Sequence, residues 1–463
     1  MAGALLVRLL PGRGRLHGRP GPARWPSLAL AGLAPYASSA RLSLRPGEAL
    51  ALALPASCRP LDVHVRTTPA KDHEEQEAVV DVPDGCALER DGNRVVLSRQ
   101  GEHGTRKIMR VTLPERYVGV DIDTHAGSVE FTGGSIKEAP VSVHAPAGSI
   151  VAWKGASVHA SRLVLCAGDL PGVDFSHGTL AATPLRVEST NGGSVFAKKV
   201  VSGDAIVAAS KGPGAVRIET LFARAAVVSA DSGAVVVKAG RYGASLAGTD
   251  LAGVSEEAAG ASAAGFAEAK WRDYSLLGEP PQLEDDGGLL AIVKGGTVHL
   301  GAVEGCAAAV RAGSPGLVGF GFPAFRSGNV HASATTECTR LLAMNRGAGD
   351  VFLDLPPADG PAERGGRSAH AGCEEGGAWD VELLSARGVR YSSDRVAEGF
   401  KWCGVPRDDS GSEPLKGPRW IKPRQRFDKS TTYPAASAAT VKAEAERGML
   451  VIGEYVWKPP WET

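Results

Sequence analysis

The chain has 463 residues, enough to bury a large core, and this length suggests two to four domains. Its 51 basic and 51 acidic residues give zero formal net charge, so no global field draws it to nucleic acid or to an anionic membrane. The 59 glycines, the 6% of aromatic residues and the absence of an apolar run long enough to span a bilayer favour strands and tight turns, and they exclude a predicted transmembrane helix.

Residues 1–45 predict a targeting leader. Seven arginines precede the first acidic residue, Glu48, among Ala, Leu and Ser, which is typical of mitochondrial or plastid transit peptides. A secretory signal is an alternative, since Ser27–Ala34 is a short apolar run followed by the small residues 38–40. An untargeted tail is the other alternative. We expect mitochondrial import, with a plastid or secreted destination as alternatives.

Residues 46–116 contain short alternating segments such as Leu61-Asp-Val-His-Val65 and Met109-Arg-Val-Thr-Leu113. Alternation with period two predicts half-buried strands. We interpret this part as a β lead-in or N-terminal cap, because the open end of a strand stack needs protection from edge-to-edge pairing.

Residues 117–355 repeat one turn motif, a glycine, a small polar residue, then a β-branched or apolar residue that starts a strand. Ala126-Gly-Ser-Val-Glu-Phe131 is a clear copy. The motif glycines are Gly127, Gly148, Gly168, Gly193, Gly214 and Gly233, then Gly296, Gly328 and Gly349, with gaps of 21, 20, 25, 21 and 19 residues among the first six.

The near-constant spacing predicts a β-solenoid of about 20-residue coils with two short strands each. In this interpretation glycine supplies a positive φ at the turn, and stacking buries the apolar face of each coil. A β-sandwich of regular hairpins is the alternative, because the half-period is close to ordinary hairpin spacing. Recurrence of the motif at the full period favours the solenoid.

Two segments interrupt this pattern. Residues 253–288 combine an Ala/Gly/Glu stretch with an acidic, Pro-bearing stretch, and we interpret them as a loop or short helix that leaves the stack. Residues 356–378 are rich in Pro, Gly and charge and predict a linker. Residues 379–463 hold five of the eight tryptophans and predict a C-terminal cap or appendage.

Aspartates are the first candidates for chemistry, because glycoside hydrolysis needs two carboxyls about 5–10 Å apart. Asp121 and Asp123 share one predicted strand face, and Asp169 and Asp350 take the small polar position of the turn. We interpret all of the candidates as turn or strand acids rather than a catalytic pair; they are Asp121, Asp123, Asp169, Asp174, Asp204, Asp231, Asp350 and Asp354.

Four histidines follow a valine in short strands, namely His144, His159, His299 and His331. They could form a ladder on one face, but their spacing matches no metal-ligand pattern, so we interpret them as outward surface residues. The seven cysteines form no Cys-x-x-Cys pair and predict reduced thiols. We predict no catalytic, cofactor-binding or metal site, and no cofactor.

Three further patterns are weak. Ala230-Asp-Ser-Gly233 faintly resembles a serine-protease nucleophile loop but fits a repeat turn, and Gly316-Leu-Val-Gly-Phe-Gly321 lacks the strand–helix context of a phosphate cradle. Residues 416–429 interleave basic and aromatic side chains that could contact RNA or anionic lipid, although basic loops are usually only solvated.

The order of Asn93-Arg-Val-Val-Leu97, Met109-Arg-Val-Thr-Leu-Pro114, Val118-Gly-Val-Asp-Ile-Asp123 and His125-Ala-Gly-Ser-Val-Glu-Phe131 resembles the putative-adhesin β-solenoid family, a domain of unknown function, and is similar to the eukaryotic family with sequence similarity 185 member A. The likeness covers roughly residues 60–355. It implies a repetitive β fold without an established enzymatic activity, and it assigns no functional residue.

Together these features predict a non-catalytic β-solenoid binding or scaffold protein with an unknown protein or glycan partner; nucleic acid is an improbable partner. The alternatives are a carbohydrate-active β-helix enzyme, either lyase or hydrolase, and an exported adhesin. The enzyme would require Asp121 or Asp123 to face another acid from an adjacent coil.

Overall fold

The computed structural model describes residues 36–46, 48–54, 61–69, 76–83, 87–91, 94–99, 107–243, 263–273, 287–313, 328–355, 379–385, 387, 389–391, 424–425 and 439–453. All of them belong to one compact unit, Tyr36–Thr463. Within these ranges the chain forms 28 strands and one helix, so the protein is all-β.

The N-terminal strands are β1 (Tyr36–Leu44), β2 (Ala49–Leu54), β3 (Leu61–Thr68), β4 (Gln76–Pro83), β5 (Ala87–Asp91), β6 (Arg94–Arg99) and β7 (Lys107–Pro114). The central strands are β8 (Gly119–Thr124), β9 (Val129–Gly133), β10 (Ser135–Lys137), β11 (Val141–Ala145), β12 (Ile150–Ala152), β13 (Ser157–His159), β14 (Leu163–Ala167), β15 (Gly172–Ala181), β16 (Leu185–Ser189), β17 (Ser194–Ala209), β18 (Val216–Ala230), β19 (Val235–Tyr242), β20 (Gly288–Val293), β21 (Val298–Arg311), β22 (Val330–Asn345) and β23 (Val351–Asp354). The C-terminal strands are β24 (Trp379–Ser385), β25 (Val389–Tyr391), β26 (Arg424–Gln425), β27 (Ala439–Ala445) and β28 (Leu450–Ile452), and helix α1 is Ala263–Asp273.

The central strands form three parallel ladders. After a repeat glycine the chain enters the first ladder, then the second, then the third, and it reaches the next glycine; from Gly127 these segments are β9, β10 and β11. We call one such passage a rung. The prediction of two strands per repeat is therefore wrong, because segments as short as β10 are too brief to show alternation in the sequence.

Equivalent residues of successive rungs pair in register. In the first ladder Val129, Ile150 and Val173 are successive partners, and in the third ladder Val120, Val141 and Leu163 are. Their side chains point to one apolar interior that contains Val, Leu, Ile and Ala from all three ladders. Each buried Val or Leu contributes roughly 1.5–3 kcal/mol, so stacking stabilises rungs that would not fold singly.

The repeat glycines form a column in which each packs against the rung before it. A Cβ at Gly214 would overlap the carbonyl oxygen of Gly193, and a Cβ at Gly233 would overlap that of Gly214. None of the repeat glycines has a positive φ. The expected reason for the glycines, a left-handed turn, is therefore wrong: they are needed because the backbones of adjacent rungs approach too closely for any side chain.

At the N-terminal end antiparallel strands are added to the first and third ladders. The first ladder continues from β3 to the parallel strand β7 and then to the antiparallel strands β4 and β1. The third ladder continues from β8 to β2 and β6, and the antiparallel β5 pairs with β6. Strand β1 lies within the range assigned to the leader from sequence.

Helix α1 packs on the outer face of the third ladder. It belongs to the long segment between β19 and β20, but β19 and β21 still pair directly, with Val235 opposite Val298. The insertion thus leaves the stack and returns to it without a change of register. Crossing a bilayer would take a longer and more apolar helix than any within the described ranges.

A buried polar cluster fills one corner of the interior. The Arg311 side chain donates from Nε to the Gly296 carbonyl (3.0 Å), from Nη2 to the Gly295 carbonyl (3.3 Å) and from Nη1 to Asn345 Oδ1 (3.2 Å). Asn345 Nδ2 donates to the Gly328 carbonyl at 3.0 Å. Burial lowers the pKa of Arg311. Carbonyl oxygens therefore solvate this guanidinium in place of water.

Candidate binding groove

The outer face of the third ladder changes character along the stack. Each third-ladder strand has two side chains that point outward, and these align in register with the outward side chains of the next rung. The polar part consists of Asp121, Asp123, Ser142, His144, Cys166, Arg186 and Glu188, with the apolar Val164 among them. The apolar part includes Ile206, Val227, Leu290, Ile292, Ala308, Val310, Leu342 and Met344.

Helix α1 packs on the part of the apolar face formed by β17 and β18 and leaves the polar part open. Trp271 and Ala267 are buried against Ile206 and Val227 in a hydrophobic cluster separate from the interior core. The uncovered part is a groove of about 540 Å³, bounded by Pro140, Arg162 and Pro184. We call it the third-ladder groove.

Arginine and glutamate lie together on the floor of the groove. Arg186 and Glu188 are two residues apart on β16, so their side chains share the outer face. Both Arg186 Nε and Nη2 lie 3.0 Å from Glu188 Oε1. The Arg186 side chain is 45% exposed, so the pair contributes no more than about 1 kcal/mol to stability. The exposed part of the Arg186 side chain remains accessible to a ligand.

Cys166 lies next to this pair in the register and is a free thiol. Burial raises its pKa, Glu188 raises it further, and Arg186 opposes the change. Nucleophilic catalysis needs a thiolate. The raised pKa keeps Cys166 protonated at neutral pH, so the groove does not activate it.

Asp204 marks the end of the groove nearest to α1. Its Oδ1 accepts a hydrogen bond from the Ala263 backbone N–H at 2.7 Å, so it caps the first turn of the helix. Burial raises the pKa of Asp204, while the Ala263 hydrogen bond and the charge of Arg224 oppose the change. This carboxyl therefore positions the helix at the groove.

Asp121 and Asp123 are both exposed on the outer face of β8, as their spacing predicted. Asp121 is paired in register with Ala51 and Ser142, and Asp123 with Ala53 and His144. No second acid occupies either of these adjacent described positions.

The other six candidate acids hold backbone or neighbouring rungs. Each accepts a hydrogen bond: Asp169 from Leu170 N, Asp174 from Ser176 N, Asp204 from Ala263 N, Asp231 from Lys211 N, Asp350 from Met449 N and Asp354 from Ser333 Oγ, all between 2.7 and 2.9 Å. These contacts agree with their interpretation as turn and strand acids.

The four histidines do not form one ladder. His144 is exposed on the third ladder and His159 on the second, where burial, Lys137 and Lys199 lower the pKa of His159. His299 and His331 are neighbours on the first ladder, with ring centroids 5.9 Å apart.

His331 is buried, contrary to the expected outward exposure. Its ring stacks on Phe352 at 4.5 Å between centroids, and burial, with a contribution from His299, lowers its pKa to about 3. The imidazole is therefore neutral and functions as part of an aromatic stack.

Metal ligands and the weaker motifs contribute no further residues to the candidate site among the described residues. Across the part of the chain that the structure describes, no three His, Cys, Asp or Glu residues converge to hold a metal ion. Cys306 and Cys338 are buried free thiols. The glycine cluster 316–321 and nearly all of the basic-aromatic stretch 416–429 lie outside the described residues.

Sequence reasoning missed the groove residues Arg162, Cys166, Arg186 and Glu188. A signal was present: successive outward positions of the third-ladder strands change from polar or charged in Leu185-Arg-Val-Glu188 to apolar in Ala205-Ile-Val-Ala208. Such a change within one repeat position indicates that something covers one part of the face and leaves the other open.

Comparison with known proteins gives similarity to solved bacterial structures. The chain is similar to a putative adhesin from Parabacteroides distasonis ATCC 8503 (11% identity, 69% of this chain and 90% of that chain, TM-score 0.28) and to one from Parabacteroides merdae ATCC 43184 (10%, 69% and 89%, 0.28). A putative cell adhesion protein from Clostridium sporogenes ATCC 15579 aligns over 90% of this chain and 98% of that chain at 8% identity, with a TM-score of 0.14.

No known family model matches the chain, and no curated protein matches it. The likeness to the eukaryotic family with sequence similarity 185 member A therefore gains no support, whereas the similar solved structures are of putative adhesins, in line with the other resemblance.

The expected mitochondrial localisation is wrong. The solved structures to which the chain is similar are of proteins from Parabacteroides, Bacteroides and Clostridium, which are bacteria and have no mitochondria. The arginines before residue 36, on which that expectation rested, lie outside the described residues.

Proposed function

We propose that the three parallel ladders are the walls of a β-solenoid, and that this solenoid is a non-catalytic binding or scaffold protein. Its ligand, a protein or glycan, would occupy the third-ladder groove. The domain boundaries assigned from sequence stay a prediction.

One observation carries the proposal. From Asp121 to Glu188 the two outward positions of the third ladder are open and, apart from Val164, polar or charged; from Ile206 onward they are mainly apolar and buried, and α1 packs on them at β17 and β18. The helix forms a raised border beside the open part of the face, so that part is concave. Ligand sites are usually concave and already formed before the ligand binds.

The chemistry of the groove favours a polar ligand with hydroxyl or amide groups. Arg162 and Arg186 supply donors, Asp121 and Glu188 supply acceptors, and Val164 supplies apolar contact. A ligand that both donates and accepts hydrogen bonds, such as a glycan or an extended peptide, matches this mixture better than a polyanion does.

The test is direct binding by the full-length protein to panels of immobilised neutral and acidic polysaccharides and of polar peptides. A bound member should lose at least about tenfold in affinity with Arg186→Glu or Arg162→Glu, a loss of roughly 1.4 kcal/mol. Lys211→Glu, an exposed charge reversal at a turn outside the groove, should bind normally. Equal binding by all three variants would contradict the assignment of the groove.

The main alternative is a carbohydrate-active enzyme, and it makes a different prediction. Asp121 and Asp123 would then be essential, and Asp121→Asn/Asp123→Asn should abolish glycan turnover. In-register neighbours that are Ala, Ser and His rather than acids argue against the two-carboxylate arrangement. Turnover by the wild type that is lost in this double variant would favour the enzyme and exclude our proposal.

A further inference from the structure

The order of the C-terminal rungs differs from their order in the chain. Strands β27 and β28, which we call the inserted rung, pair with β22 and β23 on one side. On the other side they pair with β24 and β25, which we call the terminal rung. The last described rung in the sequence thus lies inside the stack, and an earlier segment lies beyond it.

The inserted rung makes specific contacts with the rung formed by β22 and β23. Arg346 Nη1 lies 2.8 Å from Glu444 Oε1, and the Met449 backbone N–H donates to Asp350 Oδ1 at 2.9 Å. Gly448 continues the glycine column, since a Cβ there would overlap the Gly349 carbonyl oxygen.

The terminal rung holds the inserted rung from the other side. Ser385 Oγ donates to the Gly448 carbonyl at 3.1 Å. Val441, Ala443 and Leu450 of the inserted rung are fully buried. The space between the two flanking rungs, which we call the slot, therefore fits this rung closely.

None of these contacts depends on which chain supplies the inserted rung. Residues 392–438 separate it from the end of β25. Within them β26 pairs with Val381 and Glu382 of β24, so residues 426–438 join β26 to the inserted rung and no tight turn connects the two rungs. The cost of closing a long loop grows only slowly with its length. Exchange of an identical element between copies keeps every contact and changes only the connection.

The two flanking rungs also have the same register relative to the inserted rung. Leu341 and Val381 both pair with Val441, and Val351 and Val389 both pair with Leu450. The terminal rung has the register needed to stack directly on β22 and β23.

We propose that the slot is an interaction surface whose partner is a second copy of this chain, through residues 439–453 of that copy. A tether of this length gives an effective concentration of about millimolar order. Self-insertion therefore dominates in dilute protein, and exchange between copies grows as the protein concentration rises.

The experiment uses full-length chains and neighbouring outward positions of the first ladder. Phe352 pairs with Val451 across the boundary of the inserted rung. Isotope-labelled F352C chains and unlabelled V451C chains are mixed, unfolded, refolded together and oxidised. Mass spectrometry then identifies disulfides between the two introduced sulfurs, which can form only between chains. Their yield relative to total protein should rise about tenfold for a tenfold rise in concentration within the dilute range.

Two controls make each outcome decisive. A single chain with F352C/V451C should form the link internally at low concentration. A mixture of F352C and R390C chains should form none, because Arg390 lies one rung farther away, paired with Val451. The proposal is overturned if the internal link forms but the link between chains stays absent at near-millimolar concentration. It is also overturned if the internal link fails or F352C joins R390C, since either result contradicts the insertion itself.

Discussion

At the scale of single residues, the repeat glycines act through contact rather than conformation. A methyl group at Gly214 would enter the space of the Gly193 carbonyl, and backbone atoms cannot move aside as a flexible side chain does. We expect Gly214→Ala to destabilise the protein by roughly 1–3 kcal/mol in urea unfolding. Gly133→Ala is the matched control, since nothing lies within 4 Å of the added methyl. Equal effects of the two would show that close packing is not the reason.

Arg311 gives a second prediction at this scale. Arg311→Met keeps most of the side-chain volume but removes the donor to the Gly295 and Gly296 carbonyls, while Asn345 Oδ1 keeps its hydrogen bond from the Gly347 N–H. Unsatisfied buried acceptors each cost about 1–3 kcal/mol, so we expect a loss of at least roughly 2 kcal/mol by chemical denaturation. Arg162→Met, at an exposed position, should change stability by less than about 0.5 kcal/mol.

His331 predicts how stability responds to acid. Its pKa is lowered to about 3 in the folded protein, while an unfolded histidine titrates near 6.5. Between pH 6.5 and 3 the histidine is protonated in the unfolded chain but neutral in the folded one. The contribution of the neutral ring to stability is therefore present above pH 6.5 and is lost as pH falls toward 3. His331→Phe should lose less stability than the wild type between pH 6.5 and 4, measured by thermal unfolding. His144→Gln, at an exposed position, should follow the wild-type profile.

The residue-scale predictions from sequence succeeded where the spacing itself was the signal. The glycine positions fall on one column, and Asp121 and Asp123 share a face. The reason for the glycines was misjudged because a sequence does not distinguish a strained turn from a close approach. His331 was misjudged because strand alternation gives its direction but not what lies over it.

At the scale of elements, α1 is the feature that defines the groove. Trp271 is 3% exposed and belongs to the cluster on the outer face of the third ladder. Trp271→Ala should release the helix, at a cost of about 3–5 kcal/mol in docking, and expose the segment to limited proteolysis. Trp153→Ala is the matched control, because that ring is 51% exposed. Cleavage near α1 at the same rate in both variants would contradict this role.

The sequence located this element but not its place in the fold. The break in the glycine spacing and the Ala/Gly/Glu composition of residues 253–288 indicated a loop or short helix. Which ladder the helix covers depends on the outward residues of distant strands, such as Ile206 and Leu290, and these act together only after the rungs have stacked.

At the scale of the whole molecule, a stack of rungs should transmit damage only locally. Each rung pairs with its two neighbours, so stability is close to a sum of nearest-neighbour terms. Gly214→Ala should therefore raise amide hydrogen exchange in β17 and β18 well above the wild type, with much smaller changes in β8 and β22. An increase spread evenly over all rungs would indicate a single cooperative unit instead.

The all-β class and the parallel stacking follow from the repeat, but the rung order at the C-terminal end does not. Spacing fixes which residues are equivalent, and equivalence predicts register. It does not say that β27 and β28 enter between two earlier rungs, because Leu450 pairs equally with Val351 and Val389. The order depends on the difference in free energy between the alternative rung orders.

The column of glycines has a consequence for how such a chain can change. Gly233 and Gly296 remain in contact although residues 234–295 hold far more than one rung, and Gly296 and Gly328 do so across another long interval. The glycine column sets the spacing of the rungs, whereas the long insertions leave the stack at other positions. Residues 314–327, between β21 and β22, could therefore be exchanged for a foreign loop or a small domain while Gly296 and Gly328 keep the flanking rungs aligned. The stack could then present inserted segments without a change in the spacing of its rungs.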